Sequence, residues 1–217
     1  MIPGSASRAQ RSLRRAAPIA ATAAAAVTLL VGCGGSSERE ALGPQTTESA
    51  SSSGQKVPAG TVAADFVLRD QNRRLVRLSD RGGGVTILTF LYTHCVDVCP
   101  LIATQLNEVL RGAGARSAHV RVLAVSVDPR FDTQAAVTQF VRERHLVPQF
   151  HYLRGTAAQL KPIWQAYNIL VVPKNPDVMA HTASITLIDS DGRARIVYPA
   201  TATAQDILPD VERLLRS

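Results

Sequence analysis

Cysteine is scarce in this chain of 217 residues, with three in all, at positions 33, 95 and 99. Only Cys95 and Cys99 lie close together, and a bridge over so short a loop would constrain the unfolded chain little, so the pair does not read as a structural staple. No apolar run reaches the roughly 20 residues that a bilayer-spanning helix needs. No internal repeat and no second core is visible, so one folded unit of ordinary size is expected. A catalytic carboxylate pair is also missing, because Asp128, Pro129 and Asp132 read as turn and cap residues. No basic patch interleaved with aromatics argues for a nucleic-acid partner.

The beginning of the chain has a different character. The first fifteen residues carry Arg8, Arg11, Arg14 and Arg15 and no acid, and the run from Ala16 to Val31 is apolar apart from Thr22 and Thr28. This is the pattern of a secretion signal. The run ends in Leu30, Val31, Gly32 and Cys33, followed by Gly34, Gly35, Ser36 and Ser37, which resembles a bacterial lipobox. The resemblance implies cleavage before Cys33, lipid on its sulfur, and a protein anchored to the extracytoplasmic face of the cell membrane rather than spanning it. Arg14 and Arg15 leave the export route, general secretory or twin-arginine, open. Loss of residues 1–32 removes four arginines and no acid, lowering the formal net charge from +7 to +3, so the high pI belongs mostly to the leader.

From Gly34 to about Lys56 the residues are mostly Gly, Ser, Thr, Glu and Gln, which cannot bury enough surface to offset ordering. The organisation expected is a leader over 1–32, a tether over 33–57 carrying lipidated Cys33, and a folded domain over 58–217. Within that domain Phe66 to Leu68 and Leu75 to Leu78 flank a polar turn and predict a short N-terminal hairpin. Val85 to Tyr92 is apolar and β-branched, the pattern of a buried central strand. Pro100 to about Gly112 has helical spacing, with Pro100 suited to the first helical position. Val120 to Val127 predicts a second strand, and Asp132 a cap for a helix from Thr133 to about His145 with Ala135, Val137, Phe140 and Val141 inward. Phe150 to Leu153 reads as a strand, Ala157 to Tyr167 as a helix, and Ile169 to Ala180 as irregular. A hairpin of Ser184 to Ile188 with Arg195 to Tyr198, then a helix over about Ala204 to Leu215, closes the chain. The fold class is α/β: a central mixed sheet built on a βαβ unit and flanked by helices.

The chemistry begins where the central strand ends, in THCVDVCP. Cys99 lies where a helix begins, and the exposed N–H groups and dipole there lower a thiol's pKa toward the thiolate. A four-residue step brings two sulfurs close enough to chelate one ion or to oxidise to a disulfide, so the pair alone does not separate copper binding from redox exchange. Of His94, His119, His145, His151 and His181, only His181 sits at a plausible site edge. It precedes a strand that should lie beside the end of Val85 to Tyr92, 82 residues after Cys99. Two thiolates and an imidazole suit Cu(I), and with another weak ligand Cu(II), whereas structural zinc sites use four ligands. His94 would point the opposite way from Cys95 along an extended chain. Asp97 reads as an acid at a helix start, with tuning of the thiols or weak ligation as the alternative.

The segments FLYTHCVDVCP, SVDPRFDT and HTASITLIDSDG occur in that order, and they resemble the signatures of the Sco (SenC/PrrC-like) family of cytochrome c oxidase assembly proteins. The resemblance covers roughly Phe66 to the C-terminus. It implies a thioredoxin-like fold, copper held by Cys95, Cys99 and His181, and a client in the CuA site of a terminal oxidase. Val96 stands where many members have proline, and Ala180 where an aspartate is common, and neither departure removes a ligand.

The reading is therefore a copper metallochaperone anchored through Cys33, transferring a copper ion to an oxidase subunit. The alternative is a thiol-disulfide oxidoreductase or redox sensor that uses Cys95 and Cys99. Against an oxidoreductase stand the three-residue spacer and Thr182 and Ala183, where such enzymes resemble one another in a proline. A peroxidase wants an activating cation beside its cysteine, and no arginine accompanies this motif.

Overall fold

The structure, a computed structural model, describes residues 54–80, 82–175 and 178–217, with the backbone alone for 173–175, 178 and 179. The leader, Cys33 and most of the 33–57 segment lie outside the described residues. Among the described residues no helix is long and apolar enough to cross a membrane.

The chain begins with a two-residue strand β1 (Gln55–Lys56), then β2 (Val67–Arg69) and β3 (Leu75–Arg77), which pair as the expected hairpin. The central strand β4 (Val85–Leu91) is buried at every position. Its residues divide by the alternation of a strand. Val85, Ile87 and Leu91 enter one core with helices α1 (Val98–Gly112), α2 (Gln134–Glu143) and α4 (Ala204–Leu214). Leu88 and Phe90 enter a second core with the β2–β3 hairpin and α3 (Ala157–Ala166). A fully apolar strand is thus what a sheet covered on both faces requires. Gly84 lets β4 start there, because a Cβ on it would lie 2.0 Å from the His119 carbonyl oxygen.

Strands β5 (Val120–Ser126) and β6 (Phe150–Leu153) run parallel to β4 on one side. On the other, β9 (Ser184–Ile188) runs antiparallel to β4, β10 (Ala194–Pro199) antiparallel to β9, and β1, antiparallel to β10, closes that edge. The order β1-β10-β9-β4-β5-β6 is the mixed sheet with flanking helices that the sequence pattern predicts, and it is thioredoxin-like.

Four local expectations are corrected. Helix α1 starts at Val98, two residues before Pro100, with Asp97 at its N-cap position making no side-chain cap bond. Thr133, not Asp132, caps α2, its hydroxyl accepting from the Ala136 N–H, because Asp132 is buried and engaged elsewhere. Ala135 is exposed, while Val137 and Phe140 are buried. The segment read as irregular is a ribbon of β7 (Val171–Asn175) and β8 (Val178–His181), paired antiparallel with a register shift. A proline is tolerated there because the ribbon lies outside the six-stranded sheet, where strand edges need no donor.

Candidate metal centre

Strand β4 delivers the chain to the site, and long-range hydrogen bonds fix the residues just beyond it. Thr93 donates through both its N–H and its hydroxyl to Asp132 Oδ1, at 2.8 and 2.7 Å. The other oxygen of Asp132 accepts from Ser126 Oγ at 2.5 Å and from the Tyr152 hydroxyl at 3.2 Å. A fully buried carboxyl with four donors is a clamp between the end of β4, the end of β5 and β6. Burial raises its pKa against the effect of those hydrogen bonds.

Beyond Thr93 the chain turns, the Cys95 N–H reaching the Tyr92 carbonyl at 3.4 Å, and Cys95 ends just before α1. Cys99 lies in the first turn of that helix, and its N–H donates to Cys95 Sγ at 3.3 Å. Both are free thiols, Cys95 partly exposed and Cys99 buried. The helix start activates Cys95, not Cys99, which corrects the sequence expectation. The Cys99 thiol donates to the Cys95 sulfur, and with backbone N–H donors it outweighs burial, holding the Cys95 pKa down at about 5. The same hydrogen bond, and then burial, push Cys99 well above the usual thiol range. One proton is thus shared by the pair, seated on Cys99.

His181 ends β8, and β9 beside it pairs with β4, Ile185 opposite Thr89, so the strand start lies beside the end of β4 as expected. Its Nε2 lies 4.0 Å from Cys99 Sγ, and its Nδ1 is 3.0 Å from the Thr182 carbonyl oxygen. A carbonyl only accepts, so Nδ1 carries the proton and Nε2 keeps a free lone pair on the sulfur side. Burial lowers the His181 pKa and favours this neutral form. Tyr92 meets the imidazole edge to face at 5.7 Å between centroids. Burial, and then its hydrogen bond with Cys95, push its own pKa up to about 12. Among the described residues no three His, Cys, Asp or Glu side chains form a finished metal cage.

The side chains of the remaining candidates have other partners or are exposed. The His94 ring packs between Tyr92 and Phe131, each at 4.8 Å, with Nε2 3.6 Å from Asp128 Oδ2. His151 pairs with Asp70 at 3.3 Å. His119 ends a 3-10 turn, and His145 follows α2 with a positive φ of 48°. Asp97 is exposed beside the helix start. Sequence reasoning missed Tyr92 and the clamp role of Asp132. Nothing in a single sequence links Asp132 to Thr93 and Tyr152, which lie 39 positions before it and 20 after.

Comparison with known proteins agrees with this architecture. Residues 54–216 match the family model described as SCO1/SenC. The bovine mitochondrial protein SCO2 homolog is 31% identical over 156 residues, covering 69% of this chain and 58% of the relative. The chain therefore spans less than two thirds of that relative's length. Among solved structures, Bradyrhizobium japonicum ScoI with copper bound is similar at 33% identity and a TM-score of 0.63, covering 71% of this chain and 99% of that one. BsSco, described as a member of the Sco family of cytochrome c oxidase assembly proteins, shares the fold. Its TM-score is 0.64 at 23% identity, over 75% of this chain and 98% of its own.

Proposed function

We propose, from the premise that the chain belongs to the SCO1/SenC family, that it is a copper metallochaperone. Cys95, Cys99 and His181 take one copper ion and pass it to the copper-receiving subunit of a terminal oxidase, in assembly of its CuA centre. The observation that carries this reading is the approach of the His181 Nε2 lone pair to the Cys99 sulfur at 4.0 Å. Metal bonds of about 2.3 Å to sulfur and about 2.0 Å to nitrogen, at angles from tetrahedral to linear, leave roughly 3.5–4.3 Å between the two ligand atoms. Cys99 also touches Cys95, so adjustment within the Cys95 loop would bring in the third donor. A low-pKa thiolate, a second sulfur and a neutral imidazole are a soft set that suits Cu(I). The ScoI relative with copper bound supports the choice of ion.

Capture costs a proton, because Cys99 must release the one it shares with Cys95 before both sulfurs serve as thiolates. Release to a partner is helped by where the third ligand sits. His181 belongs to the β7–β8 ribbon, not to the six-stranded sheet, so the imidazole can withdraw while the sulfurs stay on the helix start. In the same reading residues 1–32 are a lipoprotein leader, Cys33 carries the lipid, the expected tether over 33–57 ends where Gln55–Lys56 join the sheet as β1, and the folded domain acts at the extracytoplasmic face of the membrane.

The test is an anaerobic copper titration of the reduced protein, repeated with His181→Ala and Cys95→Ser. One copper per chain, weakened by both changes, is the expected result. If the reduced protein binds no copper, or binds it equally well without His181, the three-ligand site is wrong, and the cysteine pair is then a thiol-disulfide centre.

A further inference from the structure

Eight large hydrophobic side chains are exposed among the described residues, and six of them, Val96, Val98, Leu101, Phe131, Leu170 and Val172, belong to segments around the sulfur pair and His181. Val96, Val98 and Leu101 lie in the loop and first turn that carry the two cysteines. Phe131 packs on His94, next to Cys95. Leu170 and Val172 flank Val171, the register partner of His181, and the Leu170 N–H is bonded to Thr182 Oγ1 at 3.3 Å. Val96 is 97% exposed and Leu170 67%, although burying such side chains is what a folded chain ordinarily gains from. Exposed apolar side chains gathered on the segments around one site, a collar in sequence and fold, mark an interaction surface.

The path of the chain says what it meets. Strand β1 enters antiparallel to β10, Gln55 opposite Val197 and Lys56 opposite Ile196, and Gly54 lies against Tyr198, next to Pro199. Pro199 pairs with Ser184, three residues after His181 and at the end of the sheet where β4 runs out into the cysteine loop. The described residues therefore begin, at Gly54, at the site end of the domain. Between Cys33 and Gly54 there are only 20 residues, which reach about 25 Å as a coil.

We propose that the apolar collar around the site docks on the surface of a lipid bilayer, so that the domain works with its copper-binding mouth at the membrane interface. The proposal rests on the reading of Cys33 as the lipid anchor. Short apolar side chains enter the boundary between headgroups and acyl chains. Arg130, its guanidinium 5.2 Å from the Phe131 ring and its Nε 3.5 Å from Asp128 Oδ1, is the basic side chain beside the collar. Within the cysteine loop Asp97 and the Cys95 thiolate carry the charges that oppose entry.

The experiment uses the full lipidated chain on phosphatidylcholine–phosphatidylglycerol vesicles, with single reporters Val96→Trp and Leu170→Trp at the collar and Ala118→Trp away from it, next to the strand start that pairs with the beginning of β4. Trp164 provides a common background. Acyl chains brominated near the headgroup should shift the collar reporters to the blue and quench them, leaving Ala118→Trp and the parent unchanged. If the protein floats with the vesicles but the collar reporters are quenched no more than Ala118→Trp, the collar does not touch lipid and the proposal is overturned. A membrane-embedded protein is then the occupant to test. If the chain does not float at all, the anchor reading fails first and this inference falls with it.

Discussion

His181 directs Nε2 toward the Cys99 sulfur at 4.0 Å while its Nδ1–H is held by the Thr182 carbonyl at 3.0 Å. The carbonyl fixes the tautomer, and the tautomer decides which nitrogen can bind a metal. Removing an outer-shell partner of a metal ligand typically costs about 10–100-fold in affinity. Losing the ligand itself should cost at least that, so His181→Ala is expected to weaken copper retention by roughly 100-fold or more. Competition against a chelator of known copper affinity measures it. His181→Gln should not restore binding, because an amide nitrogen has no lone pair to give.

The two thiols should react in sequence. Cys95, with its pKa near 5, is expected to be alkylated first in the metal-free reduced protein, at a rate that is level above about pH 6 and falls below pH 5. Buried Cys99 should lag. Peptide mass mapping after brief iodoacetamide treatment distinguishes them. Because the folded-state pKa lies below the unfolded one, Cys95 contributes stability that is fully present above the unfolded thiol pKa of 9.0 and is lost as pH falls through about 5.

The origin of that depression is also testable. The Cys99 thiol is the largest contributor and the Tyr92 hydroxyl a smaller one. Cys99→Ala should therefore move the midpoint of the Cys95 alkylation profile upward, and Tyr92→Phe should move it in the same direction by less. If neither variant moves the midpoint, the helix N–H groups, kept in both, set the value instead.

Asp132 supplies a stability prediction. Asp132→Ala leaves the Thr93, Ser126 and Tyr152 donors without their acceptor in a buried place, and it should cost on the order of 3 kcal/mol. Asp132→Asn keeps one carbonyl acceptor and should cost less. Denaturant unfolding reads both. Since Thr93 precedes the cysteine loop by two residues, the alanine variant should also bind copper more weakly than its stability loss alone explains.

Much of the fold was legible because local chemistry and global packing agreed. Val85 to Leu91 is apolar without alternation, and a strand covered on both faces needs that. The capping threonines Thr156 and Thr203 mark helix starts by side-chain bonds within three residues. The β7–β8 ribbon was not legible. Pro173, Asn175 and Pro176 are breakers in a central strand, and only the tertiary arrangement, with this ribbon outside the main sheet, makes a strand pairing there acceptable.

For the candidate site, the sequence by itself determined the donor types, the four-residue step from Cys95 to Cys99, and the place of His181 just before a strand. Those features are set by patterns a few residues long. The tertiary structure decided which sulfur is the thiolate, because this depends on the Cys99 donors and on unequal burial of the two cysteines. It decided the imidazole tautomer through the direction of one carbonyl. It also made Asp132 a clamp rather than a helix cap, because Thr93, Ser126 and Tyr152 meet around a carboxyl only after three strands have paired. Hydrogen bonds between distant positions are set by packing, and no local pattern encodes them.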